Sequence, residues 1–177
     1  MIQHADLLKI FALGAQLDAW AAKVSRHLGQ QIPEYQSALE ANRRDELVHA
    51  RILTDLGPLF APHADPYAVT IGNSAMSGDP RWNAALLNVV ERRSEIQFKL
   101  AWRICRSGDL LQIAADEARH VKLGREILRH LVLTPNTLAK VRDFLNEVDG
   151  VSGSVDIEGL RGLNERVYQE TVDHLFY

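Results

Sequence analysis

The stretch ADEARHVKLG, residues 115–124, places Asp116, Glu117 and His120 within five positions among apolar neighbours. Glu117 and His120 stand at i, i+3, a spacing that sets both on one face of a helix. The same face carries Leu110, Ile113, Ala114, Val121 and Gly124, so it reads as a core-facing stripe. A carboxylate and an imidazole aimed into an apolar core are costly unless something charged meets them. A second string, RRDELVHARIL at residues 43–53, repeats the pattern 71 positions earlier with Asp45, Glu46 and His49. Glu46 shares its face with Leu39, Ala50 and Leu53, softened by Asn42 and Arg43. From the composition, a DExxH string is expected roughly 0.03 times in a chain of 177 residues. Two copies need a cause.

Working outward, helical periodicity dominates and turn signals punctuate it. Helix 1 is expected from about residue 5 to 28, stopping at Gly29. Ile32-Pro33 opens helix 2, which ends at Gly57-Pro58. Residues 58–79 hold Pro62, Pro66, Gly72 and Gly78 and read as a long connection. Asp79-Pro80 starts helix 3, running to about Arg106, and Asp109 caps helix 4 after the break at Ser107-Gly108. Thr134-Pro135 opens a fifth helix to about Val148; after a flexible DGVSGSVD, a last helix runs from Ile157 to Phe176. No stretch alternates long enough to be a strand. Each DExxH string thus falls on the second helix of a hairpin. The expected fold is all-α, a four-helix bundle over residues 1–132 with a long crossover between helices 2 and 3. Residues 133–177 form a helical extension on the same domain.

Overall composition is ordinary for a soluble globular domain, with 46% hydrophobic and 24% charged residues. A net charge of −3 and a pI near 6.2 argue against nucleic acid or an anionic membrane as partner. Cys105 is the single cysteine, which removes an intrachain disulfide and any CxxC-based metal site. The N-terminal stretch is not built like a signal peptide, and no apolar run approaches a membrane span. A cytoplasmic location is the expectation.

Four ligands do not complete a two-metal site, so helices 1 and 3 should each add an inward carboxylate. On helix 3, Glu91 shares a face with Ala84, Leu87 and Phe98. Glu95 is one turn on, and its neighbours Arg92 and Lys99 mark a wetter position. On helix 1, Asp18 sits among Phe11, Gly14, Ala15, Ala21 and Ala22. The halves then repeat as acid followed by DExxH, with separations of 28 residues for Asp18 to Glu46 and 26 for Glu91 to Glu117. Four carboxylates and two neutral imidazoles suit iron or manganese, and two divalent cations cancel the four negative charges. Asp45 and Asp116 are placed to receive the second ring N–H of the histidine on the opposite hairpin, fixing its tautomer.

This constellation resembles the ferritin-like di-iron carboxylate superfamily: carboxylate, ExxH, carboxylate, ExxH on four successive helices, covering about residues 5–132. The resemblance implies a ferritin-like bundle holding two iron ions, or mixed iron and manganese, through Asp18, Glu46, His49, Glu91, Glu117 and His120. It also implies activation of O₂ or peroxide in the core. Most members carry Glu on helix 1; Asp18 is one methylene shorter. Radical-forming reductase subunits resemble the chain in using Asp there, but they place Tyr where this sequence has Leu53. Bacterioferritins bind haem through Met, and Met1 and Met76 fall on no expected bundle helix.

What remains is an oxidase or monooxygenase acting on a small organic substrate, fed by an external electron donor. A ferroxidase or peroxide-detoxifying metal handler is the alternative, and a metal-free helical interaction module the third reading. A homodimer is expected from the helix-rich size. Arg92, Arg93, Arg103, Arg106 and Arg119 read as a solvated face, Trp20, Trp82 and Trp102 as core aromatics, and Cys105 as a buried thiol.

Overall fold

The computed structural model describes residues 4–56, 79–131, 133–152 and 163–176, all helix and short turns with no strand among them. The elements are α1 (His4–Gln31), a 3₁₀ turn (Pro33–Tyr35), α2 (Gln36–Leu56), α3 (Pro80–Cys105), α4 (Gly108–His130), α5 (Pro135–Ser152) and α6 (Leu163–Phe176). They fall into two compact units, Met1–Asn83 and Ala84–Tyr177. No helix among the described residues is long and apolar enough to cross a membrane.

In the first unit, α1 and α2 form an antiparallel hairpin. Asn42 Nδ2 donates to Ser25 Oγ at 3.0 Å, and Gly29 lies against Gln36 and Leu39. Partners therefore step backward along one helix as they step forward along the other. α2 is buried along Leu39, Asn42, Glu46, His49 and Leu53, the alternating three-and-four spacing of a helix stripe. On α1, Leu17, Trp20, Ala21, Val24 and Leu28 are buried.

α1 does not stop at Gly29. Ile32 N–H still donates to Leu28 O at 2.9 Å, and Leu28 and Ile32 are both buried. Packing of that pair outweighs the roughly 1 kcal/mol helix penalty of one glycine. Pro33 ends the helix instead: it has no N–H to donate and forces the preceding residue out of the α region. Ile32 accordingly takes φ −128°, ψ 80°. Pro33 then opens the 3₁₀ turn, and α2 proper begins at Gln36.

In the second unit, α3 and α4 are antiparallel partners. Asn88 Nδ2 donates to Val121 O at 3.0 Å, and Glu91 meets His120. A Cβ on Gly124 would stand 2.7 Å from Asn88 Nδ2, so glycine permits this approach. α3 ends at Cys105 because Arg106 takes φ 58°, the left-handed conformation that closes many helices. The Arg106 guanidinium lies over the Trp102 ring at 5.1 Å.

α4 starts two residues earlier than expected, at Gly108, with Ser107 in the capping position and Asp109 in the first turn. There Asp109 favours the positive end of the helix by charge rather than by capping. α5 continues through Gly150 to Ser152, past the expected end at Val148. α6 is described from Leu163; residues 157–162, where its start was expected, and the connection at 58–78 lie outside the described residues. Arg142 bridges α5 to α6, contacting Glu165 at 3.4 Å and lying over the Tyr168 ring.

Some expectations are corrected. Cys105 is exposed, because it is the last residue of α3 beside an open turn. Trp20 is buried, whereas Trp82 and Trp102 are only half-buried. Arg103, Arg106 and Arg119 are exposed, but Arg93 is buried, since α3 is covered on nearly every side between Asn83 and Phe98.

Candidate metal centre

The polar middle of α2 is where the first unit departs from an ordinary hairpin. Leu39 and Leu53 close the two ends of its buried stripe, and between them come Asn42, Glu46 and His49. Arg43 does not turn inward; it forms two hydrogen bonds to Glu40, at 2.7 and 2.8 Å, on the outer side. Its guanidinium holds the Glu40 carboxyl down at about 2. Asn42 spends its amide on Ser25. Asp18, on α1, is buried, as are Glu46 and His49. These three each offer one ligand atom, and the atoms lie within 4.8 Å of one another. His49 turns Nδ1 toward Glu46, 4.0 Å from Oε2.

The second unit repeats the arrangement. Glu91 on α3 and Glu117 and His120 on α4 are buried, and their ligand atoms also lie within 4.8 Å of one another. His120 Nδ1 stands 3.3 Å from Glu91 Oε2 and 3.6 Å from Glu117 Oε2. In both units the imidazole presents Nδ1 to the carboxylates, which leaves Nε2 to be oriented by other groups.

These sets fit a metal ion. Two oxygen or nitrogen ligands on one first-row ion, each at about 2.1 Å, stand at most roughly 4.2 Å apart. Atoms gathered within 4.8 Å need only a small adjustment to share an ion. Glu46 and Glu117 are each 0% exposed. Packing two carboxylates beside an imidazole out of water is unfavourable by several kcal/mol per charge unless a cation or protons compensate. Buried acidic and histidine side chains are thus grouped in each unit so that they could hold a metal ion.

Glu95, one turn from Glu91, belongs elsewhere. It is buried rather than wet, and it is held by Lys99 at 2.5 Å and Arg92 at 2.6 Å. Burial pushes its carboxyl up, but the hydrogen bonds and charge of Lys99 and Arg92 outweigh that and leave it below the ordinary range. Arg92 also reaches Glu170 on α6 at 2.7 Å. Asp116 is buried and takes hydrogen bonds from Gln112 at 3.0 Å and Arg119 at 2.5 Å on its own helix. Asp45 is half-buried.

Two features escaped the sequence reading. One is Asn88, whose bond to the Val121 carbonyl sets α3 against α4 beside His120; its only trace in the sequence is a glycine, Gly124, on the apolar face of α4. The other is a basic cleft in the second unit, lined by Arg92 and by Lys122, Arg125 and Arg129 of α4. The i, i+3, i+7 spacing of the last three was the signal available. No protein family, curated protein or solved structure matches the chain.

Proposed function

We propose that the chain is a di-iron or mixed iron–manganese oxidoreductase, an oxidase or monooxygenase that uses O₂ or peroxide on a small organic substrate. The observation that supports it most is the doubled set of two buried carboxylates and one buried imidazole, Asp18, Glu46, His49 and Glu91, Glu117, His120. The doubled DExxH strings and the resemblance to ferritin-like di-iron proteins favour two ions per chain over one.

Bound iron or manganese would supply one-electron chemistry and a place for O₂, neither of which any side chain provides. The chain's own residues do the rest. The four carboxylates cancel the charge of two divalent ions, and Nδ1 of each histidine adds a neutral donor that favours iron or manganese over calcium or magnesium. Asp18, shorter than Glu by one methylene, has less reach and makes its half the weaker binder. Asp45 and Asp116 receive the remaining ring N–H of the histidines and hold their tautomer. Gln112 and Arg119 bond Asp116 and hold it in place for that role. Leu39, Leu53, Ile113 and Val121, buried along the same faces, exclude water from the carboxylates. The electrons come from an external donor, since the single cysteine leaves no built-in sulfur centre.

Metal analysis of the purified chain, followed by anaerobic Fe(II) loading and O₂ uptake with a chemical reductant, tests this reading. Two iron or manganese ions per chain are expected. They should be lost in Glu117→Ala and in Glu46→Ala, with O₂ uptake that depends on reductant and rises with an organic substrate. O₂ uptake with Fe(II) alone and none with any organic substrate favours the metal-handling alternative. A chain that takes up no metal at all leaves only the helical interaction module.

A further inference from the structure

The second unit carries a cleft of about 390 Å³ lined by residues of α3 and α4. Arg92, Glu95, Val121, Lys122, Arg125 and Arg129 line it. On α4, Lys122, Arg125 and Arg129 follow one another at i, i+3 and i+7, so three positive charges stack along one face. Like charges at these spacings oppose helix formation and invite a counter-charge. The acids present do not supply it in full. Glu95 is taken up by Arg92 and Lys99. Glu170 bonds Arg92 at 2.7 Å and reaches Arg125 only at 4.0 Å. Lys122 and Arg129 have no ion pair among the described residues, although acids lie within a turn of both. Val121 adds a small apolar floor.

We propose that this cleft is a binding site for a small oxyanion, a phosphate or phosphate ester, held by Lys122, Arg125 and Arg129. Guanidinium groups present paired N–H donors that match the oxygens of a phosphate, and the lysine adds a third, adjustable donor. Arg92, already fixed by two carboxylates, forms the wall and not the grip. The volume suits a phosphate with a modest organic substituent, and the open side toward solvent lets the substituent extend outward. The inference stands apart from the metal reading: none of the three gripping residues is among the proposed ligands, and the site needs no metal to form.

Calorimetric titration of the full chain with inorganic phosphate, pyrophosphate and a simple phosphate monoester, at matched ionic strength with chloride as control, tests it. Saturable binding with Kd below about 1 mM is expected for at least one of them. Lys122→Gln and Arg129→Gln should each weaken it about tenfold, the usual worth of one charge-assisted hydrogen bond. Both positions are exposed, so circular dichroism and thermal melting should show a normally folded variant. Binding should persist after treatment with a chelator. A response to chloride equal to that of phosphate, binding unchanged in the double variant, or binding that disappears with the chelator each overturns the proposal, the last by moving the anion to a metal.

Discussion

Glu91 and Glu95 sit one turn apart on α3, both buried, and face different company. Glu91 stands with Glu117 and His120; Glu95 stands between Arg92 and Lys99. Replacing each by alanine should therefore separate two kinds of loss. Glu91→Ala should lower metal content with little loss of stability in the metal-free chain. Glu95→Ala should keep the metal and cost about 1–2 kcal/mol, between the exposed and the fully buried limits for a broken ion pair. Metal analysis and urea melts of the two variants check it, and a Glu95→Ala chain without metal would reverse the assignment. The Glu95 carboxyl also fixes a pH dependence. Its folded value lies below the ordinary 4.5, so its contribution is complete above pH 4.5 and fades as the pH falls through the folded value. The gap in melting temperature between the native chain and Glu95→Gln should be widest near pH 7 and narrow as the pH falls below 4.5. A gap that stays constant would show that the carboxylate charge does not matter there. The sequence already pointed to Arg92 and Lys99 as neighbours of Glu95. It could not tell that long side chains would fold back over a buried carboxylate instead of drawing it into water.

Glycines separate what pattern reveals about an element from what packing decides. Gly29 and Gly124 both lie inside helices; from the sequence, Gly29 reads as a helix stop and Gly124 as part of an apolar face. A Cβ on Gly29 would meet Gln36 and Leu39 at 3.5–3.8 Å, ordinary contact. On Gly124 it would stand 2.7 Å from Asn88 Nδ2 and 3.1 Å from Asn88 Cβ, at a side chain already fixed by the Val121 carbonyl. Gly29→Ala should then be neutral to stabilising by up to about 1 kcal/mol, the helix-propensity gain. Gly124→Ala should destabilise by about 1–3 kcal/mol through overpacking, despite the same gain. Adding Asn88→Ala to Gly124→Ala should recover part of that loss, a coupling that thermal melts of the four chains measure. Equal melting temperatures for Gly124→Ala and Gly29→Ala would refute the contrast. The same difference explains the helix ends. Pro33 acts through covalent geometry and was legible as a boundary. Gly29 expresses only a preference, and burial of Leu28 and Ile32 overrode it. Arg106 could not have been read as a left-handed residue, because nothing local demands that conformation of an arginine.

Across the whole molecule, the helical content followed from periodicity and the inward acids from their spacing, since both repeat at the pitch of a helix. The metal assignment rests on something different, the electrostatic cost of gathering carboxylates where water is scarce. Asp18, Glu46, Glu91 and Glu117 are all buried, so the chain without ions should carry protons on some of them or be less stable. Bound ions relieve this, and a ligand that binds only the folded state adds RT ln(1 + [L]/Kd) to stability, about 2.7 kcal/mol at a hundredfold excess over Kd. For a chain of this size that corresponds to roughly 5–10 °C in melting temperature. Anaerobic Fe(II) should raise the melting temperature of chelator-treated protein by about that amount, and the rise should be larger at pH 7 than at pH 5, where protons compete for the carboxylates and imidazoles. Glu46→Gln and Glu117→Gln remove a charge each at nearly constant shape. They should stabilise the metal-free chain slightly while shrinking the response to Fe(II). If instead both variants destabilise the metal-free chain and leave the Fe(II) response intact, these carboxylates are structural, and the ions bind elsewhere.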